Sequence, residues 1–261
     1  MPLSSPVENA VLVEQQGPVL VITLNRPDQR NALDAATMSG IGCALTDAEH
    51  DDAVAVVVLT GAGDRSFCAG LDLKAFAAGG RPPLPVEGPG LDVLLTRTYP
   101  KPVVAAANGS AFAAGFELLL ACDIIVAADH AKFGIPEVKR GLVAAGGGIT
   151  QLPRRIPLAI ALELGLTGDS IDADRAYSLG LVNRVVPGAE VAATALAIAQ
   201  TIAANAPLAV RFTKEHMHAA TAADTARQTV HARLPEILTS ADAAEGARAF
   251  AERRPPAWAG R

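Results

Sequence analysis

The sequence predicts an α/β fold, and three observations carry that expectation. Short runs rich in β-branched residues and nearly free of charge, AVAVVVLTG, KPVVAAA and CDIIVAADH, read as strands buried on both faces, as in a parallel sheet covered by helices. Segments of helical periodicity stand between them. The strands return in strand-strand-helix units at intervals of about forty residues, which suits a spiral of repeats as well as a flat doubly wound sheet.

Taken in order, VLVEQQ and VLVITLN are strands around a turn at Gly17-Pro18, the second ending at Arg26-Pro27. RPDQRNALD is a polar loop, and Asp34 is placed to cap a helix running to about His50 with Met38, Ile41 and Leu45 on its apolar face. The strand AVAVVVLTG leads into GAGDRSFCAGLDLKAF. Gly61 and Gly63 are not a dinucleotide fingerprint, because the third glycine is missing and Ser66-Phe67-Cys68-Ala69-Gly70 does not open a helix. Residues 77–90, AAGGRPPLPVEGPG, form a loop suited either to a lid or acyl-pocket wall or to a surface insertion. A helix from Leu91 to Thr98, a strand from Lys101 to Ala107 and a turn at Asn108-Gly109 lead to a helix starting near Ala114. From Leu158 helices dominate: LAIALELGLTG, then Ala173 to Leu179, a short strand Val182 to Val186, and long helices from about Glu190. VAATALAIAQTIAANA has so little bulk that it needs a neighbouring surface, in this or another subunit.

At 261 residues the chain can bury a sizeable core as one large domain, or one domain with an appendage. The formal charge of -5 argues against a nucleic-acid or anionic-membrane surface. No run reaches the roughly 18 apolar residues of a membrane span, and MPLSSPVENA has neither a basic start nor an apolar core, so a cytoplasmic location is expected. Cys43, Cys68 and Cys122 are odd in number and form no CxxC pair, which fits a reducing compartment and neither a disulfide framework nor a zinc site.

The chemistry is expected between Asn108 and Gly148. Glu117 follows Ala113-Ala114-Gly115-Phe116 and precedes an apolar run, while Glu137 follows Pro136 and stands ahead of Gly146 to Gly148. A carboxylate in such surroundings is either satisfied structurally or kept for function, and a glutamate at a helix start is ordinarily a cap or a surface ion pair. His216 and His218, two apart on a helix, point to different faces and imply no third ligand, so no metal site is expected. Ser110 is not in a nucleophile elbow, and Cys68 has no basic neighbour in sequence and is expected to pack.

ITLNRPDQRNAL, GAGDRSFCAGLDLK, ANGSAFAAGFELLLACDIIVAA and FGIPEVKRGLVAAGGG, in this order and at these intervals, resemble the crotonase (enoyl-CoA hydratase/isomerase) superfamily. The likeness runs from about Val11 through EGARAFAERRPPAW. It implies a crotonase-like ββα-spiral core over residues 1–190 that binds acyl-CoA. It also implies a helical C-terminal trimerisation region over residues 191–261, often building a hexamer from two trimers. The implied partner is an acyl-CoA thioester, with no metal or redox cofactor.

By the same resemblance, the backbone N–H groups of Leu71 and Ala114 form an oxyanion hole for an enolate, each donor worth on the order of 3 kcal/mol. Ala113-Ala114-Gly115 stands where the family usually has three glycines, and alanine keeps its N–H. Glu117 is expected to activate water and Glu137 to deliver the α-proton. Ala69, Leu71, Asp72, Leu73 and Lys74 are expected along the CoA, Arg30 near its polar end, and Lys214 at a phosphate of a neighbouring subunit's ligand. After Glu137 the usual Leu-Gly-x-x-Pro-Gly-x-Gly-Gly is replaced by a stretch without the proline and with an added Arg140. Arg140 either adapts the pocket to a polar acyl group, as in relatives acting on carnitinyl-CoA, or is a solvated turn residue. The expected reaction is hydration of a 2-enoyl-CoA. Double-bond isomerisation and a carnitinyl-CoA dehydratase-like reaction are same-fold alternatives, and a non-catalytic acyl-CoA-binding protein is the alternative of another class.

Overall fold

The computed structural model describes residues 10–73, 89–96, 99–221, 235 and 238–257. Strands β1 (Val11–Gln16) and β2 (Val19–Leu24) form a hairpin, and helix α1 (Ala35–His50) follows. Asp34 caps α1 as expected, accepting from Thr37 N–H at 2.8 Å, and Met38, Ile41 and Leu45 are buried beneath it. Then come β3 (Val56–Gly61), β4 (Ser66–Cys68), α2 (Asp92–Leu95), β5 (Val103–Ala107), β6 (Ser110–Phe112) and α3 (Ala114–Ala121). The third repeat has β7 (Ile124–Ala128), β8 (Lys132–Gly134), a 3-10 helix over Pro136–Arg140, α4 (Gly148–Arg155) and α5 (Leu158–Thr167). The chain closes with β9 (Ser170–Asp172), α6 (Ala173–Ser178), β10 (Arg184–Val186), α7 (Val191–Ala203), α8 (Pro207–Thr221) and α9 (Ala241–Glu252).

The first strand of each pair joins a six-stranded sheet of order β1-β2-β3-β5-β7-β10, parallel from β2 onward. The second joins a four-stranded sheet, β4-β6-β8-β9, whose first three strands are parallel. Each repeat therefore advances one strand in both sheets, and that resolves the choice between spiral and flat sheet in favour of a ββα spiral. Val56, Val57, Leu59 and the whole of β5 are buried, as expected of strands covered on both faces.

Some expectations are corrected by local detail. Strands β4, β6, β8 and β9 are three residues each, too short for an alternating pattern to register. The expected helix from Leu91 is helical over Asp92–Leu95, residues 97 and 98 lying outside the described residues. Most of the 77–90 loop is also outside them. The strand expected from Val182 begins at Arg184, with Leu181 and Val182 buried as packing ahead of it. Helix α7 lies against β3, β5 and β7 of its own chain through Val191, Ala195 and Ala199, and its small residues let it approach the alanines of β5. A boundary after residue 190 would thus cut this helix from the sheet it covers. Among the described residues no single helix is long and apolar enough to cross a membrane.

Two asparagines pin the turn from β3 to β4. Asn31 is fully buried, accepts from Arg26 N–H at 3.0 Å and donates to the carbonyls of Ala62 and Ser66 at 3.0 and 2.8 Å. Asn108 accepts from Gly61 N–H at 3.1 Å and donates to the Gly63 carbonyl at 2.7 Å. Truncating the fully buried Asn31 would remove the partner of three backbone groups, the hydrogen bond to the Ser66 carbonyl buried and the other two part-buried, so Asn31→Ala is expected to lower the unfolding free energy by about 2–4 kcal/mol in urea titrations. A loss below about 0.5 kcal/mol would mean that the turn holds without the pin.

Candidate active site

Three neighbouring parallel strands, β4, β6 and β8, end side by side, and each runs directly into a segment singled out above. Ala69-Gly70-Leu71 follows β4, Ala113-Ala114 follows β6, and Ile135-Pro136-Glu137 follows β8. A parallel bridge holds Leu71 beside Leu33: Leu33 N–H donates to the Gly70 carbonyl at 2.8 Å and Asp72 N–H to the Leu33 carbonyl at 2.9 Å. In that pattern the N–H of Leu71 itself points away from Leu33. Gly70 abuts the second segment, since a Cβ there would stand 2.7 Å from Ala113 Cβ and 3.4 Å from Ala114 N. Neither Leu71 N–H nor Ala114 N–H donates to an acceptor among the described residues. Two unpaired backbone donors are thus brought to adjoining segments, one of them at the positive end of α3.

Ala113 carries the strain of this arrangement. Its φ of 53° with ψ of -132° lies where a Cβ is poorly tolerated, at a cost of about 1–3 kcal/mol. Ala114, the donor, is the first residue of the helix and escapes that strain.

Glu117 neither caps α3 nor reaches solvent. Its side chain turns into the interior, where Oε1 accepts from Gly148 N–H at 2.9 Å and the residue is 4% exposed. Burial raises its pKa to about 7 against the lowering effect of the amides of Gly148, Gly146 and Gly147. The glycines answer to this carboxylate: a Cβ on Gly146 would sit 2.7 Å from Glu117 Oε2, and one on Gly148 3.2 Å from Oε1. Around it, Phe116, Leu118, Leu119 and Leu120 are buried, and Phe116 stacks on Phe133 of β8 at 5.8 Å.

Glu137 lies in the 3-10 helix, half-buried, and its Oε2 is a buried oxygen with no hydrogen-bond partner among the described residues. Burial, together with the negative charge of Glu117, raises its pKa to about 8. The two glutamates therefore titrate as neighbours and resist being ionised together. A buried, unpaired carboxylate oxygen calls for a partner that is not protein.

Helix α9 braces the segment that carries Glu137. It packs so closely that a Cβ on Gly246 would overlap the Arg140 carbonyl, and one on Gly141 would come within 2.5 Å of the Asp242 carbonyl. Arg140 lies over the Phe250 ring at 5.0 Å and donates to the Lys139 carbonyl at 2.9 Å. It neither lines the cavity beside Glu117 nor stands free in solvent.

The remaining expected residues divide. Arg30 is exposed and tied to the site by Ala69 N–H donating to its carbonyl at 3.1 Å. Asp72 joins the same strand end, but its carboxylate is held by Arg26 at 3.1 Å, leaving its backbone rather than its charge for a ligand. Leu73 borders it and Lys74 lies outside the described residues. Lys214 is corrected: its ammonium is buried, 2.7 Å from Asp123 and 2.8 Å from the Lys101 carbonyl, so it is not on offer to a phosphate. His218 bonds the other oxygen of Asp123 at 3.0 Å, while His216 stacks on Phe212, so the two face different ways as their spacing requires. Cys68 is buried with its thiol pushed up to about 12, which suits packing and not nucleophilic attack. Ser110 Oγ accepts from Lys132 N–H at 3.1 Å and serves the sheet.

A family model described as Enoyl-CoA hydratase/isomerase matches residues 14–261. The chain belongs to the enoyl-CoA hydratase/isomerase family. It is 43% identical over 255 residues to a carnitinyl-CoA dehydratase of Salmonella typhi, covering 95% of this chain and 97% of that one. The crystal structure of a carnitinyl-CoA hydratase from Mycobacterium avium matches with a TM-score of 0.90 at 41% identity, covering 98% of this chain and 100% of that one. An enoyl-CoA hydratase structure from Mycobacterium tuberculosis H37Rv matches at 0.77 with 49% identity, covering 97% and 100%. The spiral found here is the fold of these family members.

Sequence reasoning did not find Asn31, Asn108 or the Asp123–Lys214–His218 cluster. Each is a polar residue whose partners lie far off in the chain, and no local pattern announces them.

Two outcomes follow from the strained and titrating groups. Ala113→Gly is expected to raise stability by about 1 kcal/mol, read as a higher urea midpoint, and an unchanged or lower midpoint would refute the strain. Glu137 has a folded pKa raised above its ordinary value, so its ionisation weighs against the native state. That penalty is absent below about pH 4.5, grows as pH rises toward about 8, and is constant above. Glu137→Gln should therefore gain on the wild type by about 1–3 kcal/mol between pH 4.5 and pH 8 in unfolding titrations. A difference that does not vary with pH would contradict the raised pKa.

Proposed function

We propose that this protein is a hydro-lyase that adds water across the C2=C3 double bond of a 2-enoyl-CoA thioester, with Glu117 and Glu137 as its acid/base pair. The observation that carries this is the buried Glu117 and the half-buried Glu137, whose Oε2 is buried without a partner among the described residues, with pKa values raised to about 7 and about 8, set beside two backbone donors unpaired among the described residues. Near neutral pH such a pair shares its protons unequally, so one member is a base and the other an acid at the same moment.

Glu117, anchored by Gly148 N–H, takes a proton from the attacking water as its oxygen bonds C3. The π electrons shift to the thioester oxygen, where the enolate charge meets the N–H groups of Leu71 and Ala114 and the helix end behind Ala114. Glu137, neutral at this stage, then delivers its proton to C2. No electron leaves or enters the substrate, so the proton transfers suffice and no metal or redox cofactor is invoked. The CoA runs past Ala69, Leu71, Asp72, Leu73 and Lys74, with Arg30 at its polar end.

Elimination of water from a 3-hydroxyacyl thioester is the same path reversed, and the 43% identity to a carnitinyl-CoA dehydratase favours that second direction. Double-bond isomerisation uses the same groups without the water. The presence of both carboxylates weighs against a protein that only binds acyl-CoA. A homotrimer, or a hexamer of two trimers, is supported by an exposed apolar stripe, Leu158, Leu162 and Leu166 on α5, and by exposed Leu208 and Phe212 one turn apart on α8.

The test follows the conjugated thioester absorbance of crotonyl-CoA. Glu117→Gln and Glu137→Gln should each lower kcat by about 10²–10⁴-fold while CoA binding survives, and the double variant should be little worse than either. Wild-type turnover in either single variant would sink the acid/base roles, and conversion of 3-enoyl-CoA alone would turn the reaction to isomerisation.

A further inference from the structure

The backbone donor at Leu71 is aimed by a series of peptide planes that begins at Arg26. A trans peptide holds its carbonyl and its N–H in one plane, pointing opposite ways. The peptide between Gly70 and Leu71 has its carbonyl on Leu33 N–H at 2.8 Å, which turns Leu71 N–H to the side away from Leu33. The peptide that supplies Leu33 N–H is set in turn by its own carbonyl, that of Ala32, which accepts from Arg26 Nη1 at 2.5 Å. Guanidinium, Ala32–Leu33 peptide and Gly70–Leu71 peptide thus stand in series, and the N–H at the end of the series donates to no acceptor among the described residues.

The guanidinium is fixed at both ends. The backbone of Arg26 is tied to Asn31, its N–H donating to Asn31 Oδ1 at 3.0 Å and its carbonyl accepting from Asn31 N–H at 2.8 Å. Its Nη2 lies 3.1 Å from Asp72 Oδ2 and 3.3 Å from Asp34 Oδ2. These aspartates follow Leu71 and Leu33 directly in the chain, so one side chain grips both strands of the Leu33–Leu71 bridge. Two carboxylates outweigh its single positive charge, and its effect on the site is therefore one of orientation and not of field. A lysine could not repeat the grip, because the fork divides a carbonyl and two carboxylates between two nitrogens held in one plane.

We infer that Arg26 is a positioning residue for the reaction, aiming Leu71 N–H at the enolate oxygen through the Ala32–Leu33 peptide. This rests on the hydratase function proposed above and extends its oxyanion hole to a side chain that acts on it only through backbone. An oxyanion donor works by standing in place before the charge appears, and a misplacement of about 1 Å can cost about 100-fold in rate. An ion pair that merely held the fold together would instead lower stability and weaken charged and uncharged ligands alike.

Binding without turnover separates the two roles. Acetoacetyl-CoA ionises to an enolate whose ultraviolet absorbance reports the charged form, whereas butyryl-CoA carries no such charge. Arg26→Met should lower the affinity for the acetoacetyl-CoA enolate at least about tenfold and that for butyryl-CoA less than about threefold. It should also cut kcat on crotonyl-CoA by about 10–100-fold with KM held within about threefold. Arg26→Lys, which keeps one charged donor, should recover part of the enolate affinity. Lys101→Met removes a buried tie elsewhere on α1, to the carbonyls of Ala48 and Asp51, and should cost stability while leaving enolate affinity and kcat within about twofold. With Arg26→Met, or with Arg26→Lys should the former not fold, equal loss of both ligands or loss of neither overturns the inference. Selective loss of enolate affinity in Lys101→Met overturns it too, since loosening the fold would then suffice. Selective loss in the Arg26 variant, in a protein that hydrates no 2-enoyl-CoA, upholds the series and removes the hydratase function instead. Hydration by the wild type with kcat unchanged in the Arg26 variant does the reverse.

Discussion

The carboxylate of Glu117 is the group to which the rest of the site is fitted. A charge held at 4% exposure is costly unless donors meet it, and the chain supplies them as backbone amides of residues 146–148. Two of the three glycines there leave the carboxylate room, since a Cβ on Gly146 or Gly148 would crowd its oxygens, and the third, Gly147, holds a φ of 135° that side chains rarely adopt. The incomplete compensation is what leaves the group near neutrality in its titration, and the second glutamate inherits its own raised value partly from the first.

That dependence orders the surrounding structure. The apolar face of α3 fixes where Glu117 points, β8 and the 3-10 helix fix where Glu137 stands, and α9 presses on the latter through glycine contacts. The C-terminal helix thereby braces the segment that carries Glu137.

Much of this was legible in the sequence, for identifiable reasons. Strands β3, β5 and β7 are uniform apolar runs, Asp34 heads a clean periodic helix, and the two glutamates stand in surroundings that polar surface residues do not have. The spiral itself was legible only as a repeat, because β4, β6 and β8 are too short to leave a pattern. Lys214 was misplaced for a physical reason: a lysine on a polar helix reads as solvated, and its burial comes from Asp123, ninety-one positions away. The dihedrals of Ala113 were equally hidden, since an alanine in a left-handed conformation looks like any other alanine in a string of letters.

The side-by-side ends of β4, β6 and β8 have a geometric consequence. Hydrogen bonding fixes neighbouring strands about 4.8 Å apart whatever their side chains. The intervals between Leu71, Ala114 and Glu137 are therefore gauged by the sheet, as marks on a ruler, and not by the side chains that stand there. A lineage can exchange the groups at the marks, deleting a carboxylate or moving one, while the scale stays calibrated. One spiral can in this way hold different groups at the same spacing.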